Sequence, residues 1–305
     1  MITFDLGSNT LRIASFTCEP FERTVIFERI IRTAKDLHIS GKISDASIKR
    51  LFLALEEASE LFDFKKEPCY AVTTQAMRVA SNASEIVSMI KKRFGITFEI
   101  ISGEKEAYLT ALAVEHALKR EGVDPHNYVL FDLGGGSTEI TFCHQSIRTS
   151  RSFPFGIVTT AETYKESIET HIETLATQIE PFIQAQGTFK SNILPLVTTA
   201  GTPTTVAAFL EGLDYAHYDA DRINGKILYL HDFETAFQTL TSMEPEEAER
   251  FTGTNRRDLV IVGILLVQSI MKKLGFDRTI VIDDGLREGI AIANCNRSAL
   301  SKENA

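Results

Sequence analysis

The chain has 305 residues, long for one hydrophobic core and comfortable for two domains. Its hydrophobic content of 44%, charged content of 24% and formal charge of −9 describe an ordinary globular composition. That balance argues against a broad basic footprint for nucleic acid, while leaving open small anionic ligands held by metal ions and backbone amides.

The opening ITFDL, then GSN, then TLRIASF reads as strand, turn and strand, and TVIFERIIRTA as a further β segment. DASIKRLFLALEEASELFDF places Ile48, Leu51, Phe52, Leu55, Leu61 and Phe62 at helical spacing behind cap-type residues. PCYAVTTQAMR is a strand running into a loop. Asn82 followed by Glu85 signals a helix start, and EIVSMIKKRFG is a helix closed by Gly95. ITFEIIS then reads as a strand and SGEKEAYLTALAVEHAL as a helix. The turn-rich GVDPHN, 122–127, separates this α/β half from a second one.

The second half opens on a hairpin over 128–143. One long helix around 159–186 follows, then a strand ILPLVTTA and a helix in which Thr202 is the N-cap and Pro203 the first helical position. An apolar helix around 257–273, a strand TIVIDD and a last helix from Leu286 complete the chain. The apolar run LVIVGILLV, 259–267, is too short to span a bilayer. The N-terminus has no signal-peptide pattern. Cys18, Cys69, Cys143 and Cys295 are scattered without metal-type spacing, which fits a reducing cytosol and no disulfide framework.

Each half therefore opens with the same statement: FDLGSNT at 4–10 and FDLGGGST at 131–138. In the second copy, Gly134, Gly135 and Gly136 let the backbone take positive φ and approach a ligand closely. Successive amides in such a turn suit phosphate, and Ser137 and Thr138 add hydroxyls. Asp132 and Glu139 bring two carboxylates to the same place, hard ligands of the kind magnesium uses beside phosphate. The first copy offers Asp5, Gly7, Ser8, Asn9 and Thr10. A tight turn with a hydrogen-bonding Asp would explain one copy; two copies opening two halves favour a site. AGTPTTVAAF, 200–209, adds Gly201 and Thr202 at a helix start that can bind an anion. Competing motifs are absent. Asn224-Gly225-Lys226-Ile227 is no Walker loop, Glu139 replaces the last glycine of G-x-S-x-G, and no H-E-x-x-H occurs.

FDLGSNT, TTQAMRVASN, EIISGEKEAYL, FDLGGGSTEI, AGTPTTVAAF and IDDGLREGI, in that order, resemble the exopolyphosphatase / guanosine pentaphosphate phosphohydrolase (Ppx/GppA) family, of the actin, hexokinase and Hsp70 superfamily. The resemblance covers essentially the whole chain. It implies an α/β fold of two actin-like, ribonuclease H-like domains with a cleft between them. These would be 1–121 and 122–285, with the helix from about 286 to 305 packing back on the first. It implies a cytoplasmic hydrolase of the terminal phosphate of polyphosphate or pppGpp, with guanosine tetraphosphate as a further ligand. Magnesium, or manganese in its place, is the implied metal. A homodimer is expected, and no nucleic-acid or membrane partner.

Carried over by resemblance, Glu106 is the catalytic base, Arg78 a phosphate-proximal arginine, and Asp132, Glu139 and Asp5 the metal-linked acids. Gly134, Gly135, Gly136 and Ser137 form the second phosphate loop. By position alone, Glu104 and Glu106 would read only as acids favoured in a first helical turn, and Arg78 as a solvated arginine. Lys105 departs from relatives that have a second acid there, and reads as facing solvent. The chain ends soon after GLREGIAIANC, without the helical domains of longer relatives. That makes short polyphosphate or pppGpp the more plausible substrate. Two other readings stay open: an ATP-dependent kinase of the same superfamily, and a non-catalytic sensor of guanosine tetra- or pentaphosphate.

Overall fold

The protein is described from a computed structural model covering residues 1–164, 167–187 and 194–303. Its contacts divide it into two compact units, residues 1–113 with 285–305, and residues 114–284.

The first unit contains β1 (Ile2–Leu6), β2 (Thr10–Cys18), β3 (Phe21–Ile30), the single-turn α1 (Leu37–Ser40), α2 (Asp45–Ala58), β4 (Cys69–Thr73), α3 (Gln75–Val79), α4 (Ala83–Phe94) and β5 (Phe98–Ile100). The helix α5 (Gly103–Arg120) begins in it and ends in the second unit. The second unit continues with β6 (Tyr128–Leu133), β7 (Thr138–His144), β8 (Ile147–Phe153), α6 (Ile157–Thr163), α7 (Ile168–Thr177), α8 (Glu180–Ala185), β9 (Leu196–Thr199) and α9 (Gly201–Leu210). Then come α10 (Ala220–Ile223), β10 (Lys226–Tyr229), α11 (Leu230–Ser242), α12 (Pro245–Thr252), α13 (Arg257–Leu274) and β11 (Arg278–Val281). The last helix, α14 (Leu286–Glu303), returns to the first unit.

The two sheets repeat one plan. In the first, the order is β3-β2-β1-β4-β5; in the second, β8-β7-β6-β9-β11 with β10 added at the edge. In both, the opening strand pairs antiparallel with the next strand and parallel with the one after the hairpin's far arm (β1 with β2 and β4; β6 with β7 and β9). The sequence echo is thus the visible part of a duplicated sheet. Buried strands supply each core: Ile2, Phe4, Leu6, Leu11 and Ile13 in the first unit, Val129, Phe131, Leu133, Ile140 and Phe142 in the second. The apolar run in α13 is buried at Val260, Val262, Ile264, Leu266 and Val267, and no helix among the described residues is long and apolar enough to cross a membrane.

Several local expectations change. The single helix of 159–186 is α6, α7 and α8; Pro181, in the first turn of α8, cannot continue a helix from α7. Lys165 and Glu166, within that range, and Ile193 of the expected strand lie outside the described residues. α9 starts at Gly201, so Thr202 is its second residue and not its cap, and Pro203 still falls among the first four positions, where no helical N–H is needed. Asn82 precedes α4, but its side chain makes no cap bond there. It instead bonds both backbone groups of Ile43, accepting from N at 3.0 Å and donating to O at 2.9 Å.

The expectation of no disulfide is also overturned. Cys18, at the end of β2, is bonded to Cys295 in α14, across 277 residues of sequence. Spacing could not show this, because the pairing depends on α14 returning to β2. Ala291 of the same helix packs with Ala14 and Phe16 of that strand. At the start of α14, Glu288 accepts from Gly285 N at 3.0 Å and from Arg23 Nη1 at 2.9 Å. Burial raises the pKa of Glu288, and Arg287 and Arg23 more than reverse that, holding it at about 2. Because the disulfide closes most of the chain into a loop, its reduction is expected to cost about 4–5 kcal/mol and lower the melting temperature by roughly 10–15 °C. Thiol titration then finds all four cysteines, two of which, Cys69 and Cys143, are free in the oxidised protein. Cys18→Ser should melt at the lower temperature with or without reductant.

Candidate active site

In open α/β sheets, ligands bind beyond the carboxyl ends of the parallel strands. Those ends carry the residues singled out from sequence. In the first unit, β1 leads into the Gly7–Thr10 turn, β4 into α3 with Arg78, and β5 into α5 with Glu106. The ends are tied together: Thr73 Oγ1 donates to Leu6 O at 2.8 Å and Ile101 N to Thr73 O at 3.0 Å. In the second unit, β6 leads into the Gly134–Ser137 turn, β9 into α9 with Gly201 and Thr202, and β11 into Asp283 and Asp284. Thr199 Oγ1 donates to Asp284 O at 3.1 Å.

Both turns close on the same bond, Gly7 N to Thr10 O at 2.9 Å and Gly134 N to Ser137 O at 3.0 Å. Their carbonyls are then taken from one side. Ser8 O accepts from Ala34 N at 2.9 Å, Gly7 O from Thr33 Oγ1 at 2.8 Å, and Asn9 O from Ile31 N and Arg32 N, both at 2.8 Å. In the second turn, Gly134 O accepts from Ile157 N at 3.0 Å, and Gly135 O from Val158 N at 2.8 Å and Thr159 N at 3.2 Å, all at the start of α6. In a trans peptide the N–H points opposite to the C=O. Anchoring the carbonyls therefore turns the amides of Ser8 and Asn9 away from the 31–34 segment. Those of Gly135 and Gly136 likewise point away from α6. Consecutive amides aimed one way make an anion-binding concavity.

The glycines act differently from the sequence expectation. Gly134, Gly135 and Gly136 do not have positive φ. Close packing is what Gly134 and Gly156 allow: a Cβ on Gly134 would stand 3.0 Å from Ser137 O, and one on Gly156 only 2.5 Å from Gly134 O. Thr138 Oγ1 donates to Phe155 O at 2.7 Å, so that hydroxyl holds the turn.

The acids differ between the copies. Asp132 lies directly across the β6–β7 ladder from Glu139, two carboxylates on one face, an arrangement that is unfavourable without a cation. At the matching place in the first unit, Asp5 lies across from Arg12, whose Nε reaches Glu28 Oε2 at 3.3 Å. Glu139 Oε1 accepts from Ser152 Oγ at 2.6 Å, which fixes its carboxylate. Among the described residues no group of three or more His, Cys, Asp or Glu is arranged to hold a metal. A hard ion at the Asp132–Glu139 pair would thus take its remaining ligands from phosphate and water, which suits magnesium.

Glu106 is buried and meets Arg78 Nη1 at 2.7 Å through Oε2. Nη1 also donates to Ile101 O at 2.9 Å and Nε to Gln75 Oε1 at 3.0 Å, while the buried Nη2 has no partner. The buried Asn9 Oδ1 likewise has none. Glu104 does the helix-start work: its own N–H and Ser102 hold its carboxyl below the usual range. Lys105 pairs with Glu99 on β5 at an exposed position.

At α9, Ala200 takes φ 76°, a strained value for a residue with a Cβ. The buried Thr202 side chain packs against Gly263 of α13, so the helix start offers amides and not that hydroxyl. Arg256 Nη2 would stand 3.1 Å from a Cβ on Gly201, and its guanidinium lies 5.4 Å from the Tyr215 ring centre. Arg256, Gln75 and Gly156 carry no sequence signal; their placement depends on the fold.

Residues 23–297 match the model of the Ppx/GppA phosphatase family. Among curated proteins, a bifunctional 3-dehydroquinate synthase/phosphatase of Fusobacterium nucleatum is 23% identical over 300 residues, covering 92% of this chain but 44% of that protein. Exopolyphosphatase 2 of Mycobacterium tuberculosis is 26% identical over 290 residues, 87% of each chain. The crystal structure of the Aquifex aeolicus Ppx/GppA family member superposes with a TM-score of 0.76 at 27% identity over 97% of both chains. With its duplicated sheets and acid-bearing hairpins, the chain belongs to the Ppx/GppA phosphatase family.

Proposed function

We propose that the chain is a magnesium-dependent phosphohydrolase that removes the terminal phosphate of inorganic polyphosphate or of pppGpp. The observation that carries this is two hairpin turns, each with its own carbonyls anchored on one side and its consecutive amides turned to the other, the second crowned by Asp132 opposite Glu139. Relatives named as exopolyphosphatases support the substrate class.

In this reading Glu106 takes a proton from a water molecule as its oxygen attacks the terminal phosphorus. The P–O bond to the next phosphate breaks, and the shortened chain leaves. The amides of Gly135 and Gly136, with those of Ser8, Asn9 and the α9 start at Gly201 and Thr202, bind phosphate oxygens. Arg78 Nη2, buried without an acceptor, gains one in an anionic oxygen. Asp132 and Glu139, with Asp5 in a supporting role, would hold magnesium, which neutralises charge on the phosphate oxygens. Positioning and electrostatics of this kind are what phosphoryl transfer rewards.

The test is orthophosphate release in magnesium from polyphosphate of defined lengths, pppGpp and ATP in parallel, with a chelator arm. Release from polyphosphate or pppGpp that stops on chelation is expected. Transfer from ATP to an acceptor, without release to water, would favour a kinase. Tight guanosine tetraphosphate binding with no release from any substrate would overturn the hydrolase reading in favour of a sensor.

A further inference from the structure

A guanidinium has five N–H groups, and Arg78 uses three of them on the protein. Nε donates to Gln75 Oε1 at 3.0 Å, and Nη1 to Ile101 O at 2.9 Å and Glu106 Oε2 at 2.7 Å. The two remaining N–H groups both sit on Nη2, which is buried and has no partner. Arginine beside a carboxylate ordinarily closes into a two-point fork, the stronger and more directional pairing. Here it does not, since neither Nε nor Nη2 is on Glu106.

We propose that Gln75 is a positioning residue that keeps the Arg78–Glu106 pair open. Gln75 lies three residues before Arg78 on α3, one turn away on the same face, and it occupies Nε. With Nε on Gln75 and Nη1 on the Ile101 carbonyl, the guanidinium plane is fixed at two places that are not Glu106. It therefore cannot rotate to bring Nη2 onto the carboxylate. Nη2 stays available for an anionic phosphate oxygen, and Arg78 places one charged hydrogen bond on Glu106 where a fork would place two. Without the Gln75 acceptor, rotation satisfies the buried Nη2 on Glu106, and that availability is lost. The inference rests on the hydrolase reading, because it assigns Nη2 to a substrate oxygen and Glu106 to the water.

The test compares wild type, Gln75→Met, Gln75→Glu, Arg78→Ala and the double variant Gln75→Met/Arg78→Ala, with polyphosphate as substrate. Methionine keeps the length and removes the acceptor; kcat/KM is expected to fall about tenfold, the worth of one hydrogen bond to a charged group. Glutamate keeps an oxygen on Nε and holds kcat within about threefold of wild type. Because Gln75 acts through Arg78, Gln75→Met adds less than about twofold in the Arg78→Ala background. Full activity in Gln75→Met overturns the proposal, as does a tenfold penalty that persists without Arg78. Either result leaves the hydrolase reading standing, provided wild type releases phosphate. Wild type with no release from any substrate overturns both.

Discussion

Glu106→Gln is expected to lower kcat for phosphate release by about 10²–10⁴ while the protein still folds. Glutamine keeps an oxygen for Arg78 Nη1, now 2.7 Å from Glu106 Oε2, so the contact loses charge but not its acceptor. The stability cost is about 1–2 kcal/mol, since the pair is largely but not wholly buried. Steady-state release of orthophosphate, beside a thermal melt, separates two roles that the geometry allows. A buried ion pair that only held α3 to α5 would show the melting loss and keep its turnover. A base for water would show the reverse weighting. An unchanged kcat would remove Glu106 from the mechanism.

Gly156→Ala should be nearly as damaging, although Gly156 carries no functional group. Its backbone is extended, with φ −152° and ψ −174°, so alanine is conformationally acceptable. Space is the difficulty. An added Cβ would stand 2.5 Å from Gly134 O and 2.7 Å from both Gly135 C and Gly136 N, all backbone atoms of the Gly134–Ser137 turn. The turn must move, and with it the bonds that α6 makes to the Gly134 and Gly135 carbonyls. Overpacking of this kind costs about 3 kcal/mol, and a displacement near 1 Å in a positioning element costs about 10² in kcat/KM. Phosphate release and circular-dichroism melting of the same sample check both. Wild-type kinetics in this variant would show that the turn does not bind substrate.

Most of the strands and helices were legible because hydrophobic period and cap chemistry are local. The duplicated hairpins were legible because the same residues recur at the same offsets, down to Thr10 opposite Ser137. What stayed hidden depends on distant segments. Asn82 reads as a cap, yet its amide is drawn to Ile43 by the packing of another segment. Gly156 looks like one glycine among many until the fold puts it against the turn. The Cys18–Cys295 bond joins the two ends of the first unit's chain. Gln75 and Arg256 are ordinary polar residues whose partners are set by α3 and α9. For the site, sequence supplied the acids and the turn, resemblance supplied Glu106 and Arg78, and only the hydrogen bonds show which way the amides face.

The second unit is one continuous stretch, residues 114–284, whereas the first is assembled from 1–113 and 285–305. A chain emerging from the ribosome therefore has all of the second sheet in hand before α14 exists. The first sheet must wait, with the β2 face that receives Ala291 uncovered, until the last helix is made. Folding order should then run against chain order: the inserted unit matures first, and the unit that opens the sequence is sealed last. The Cys18–Cys295 bond is a timestamp of that event, since neither partner can meet the other until synthesis has passed through the whole of the second unit.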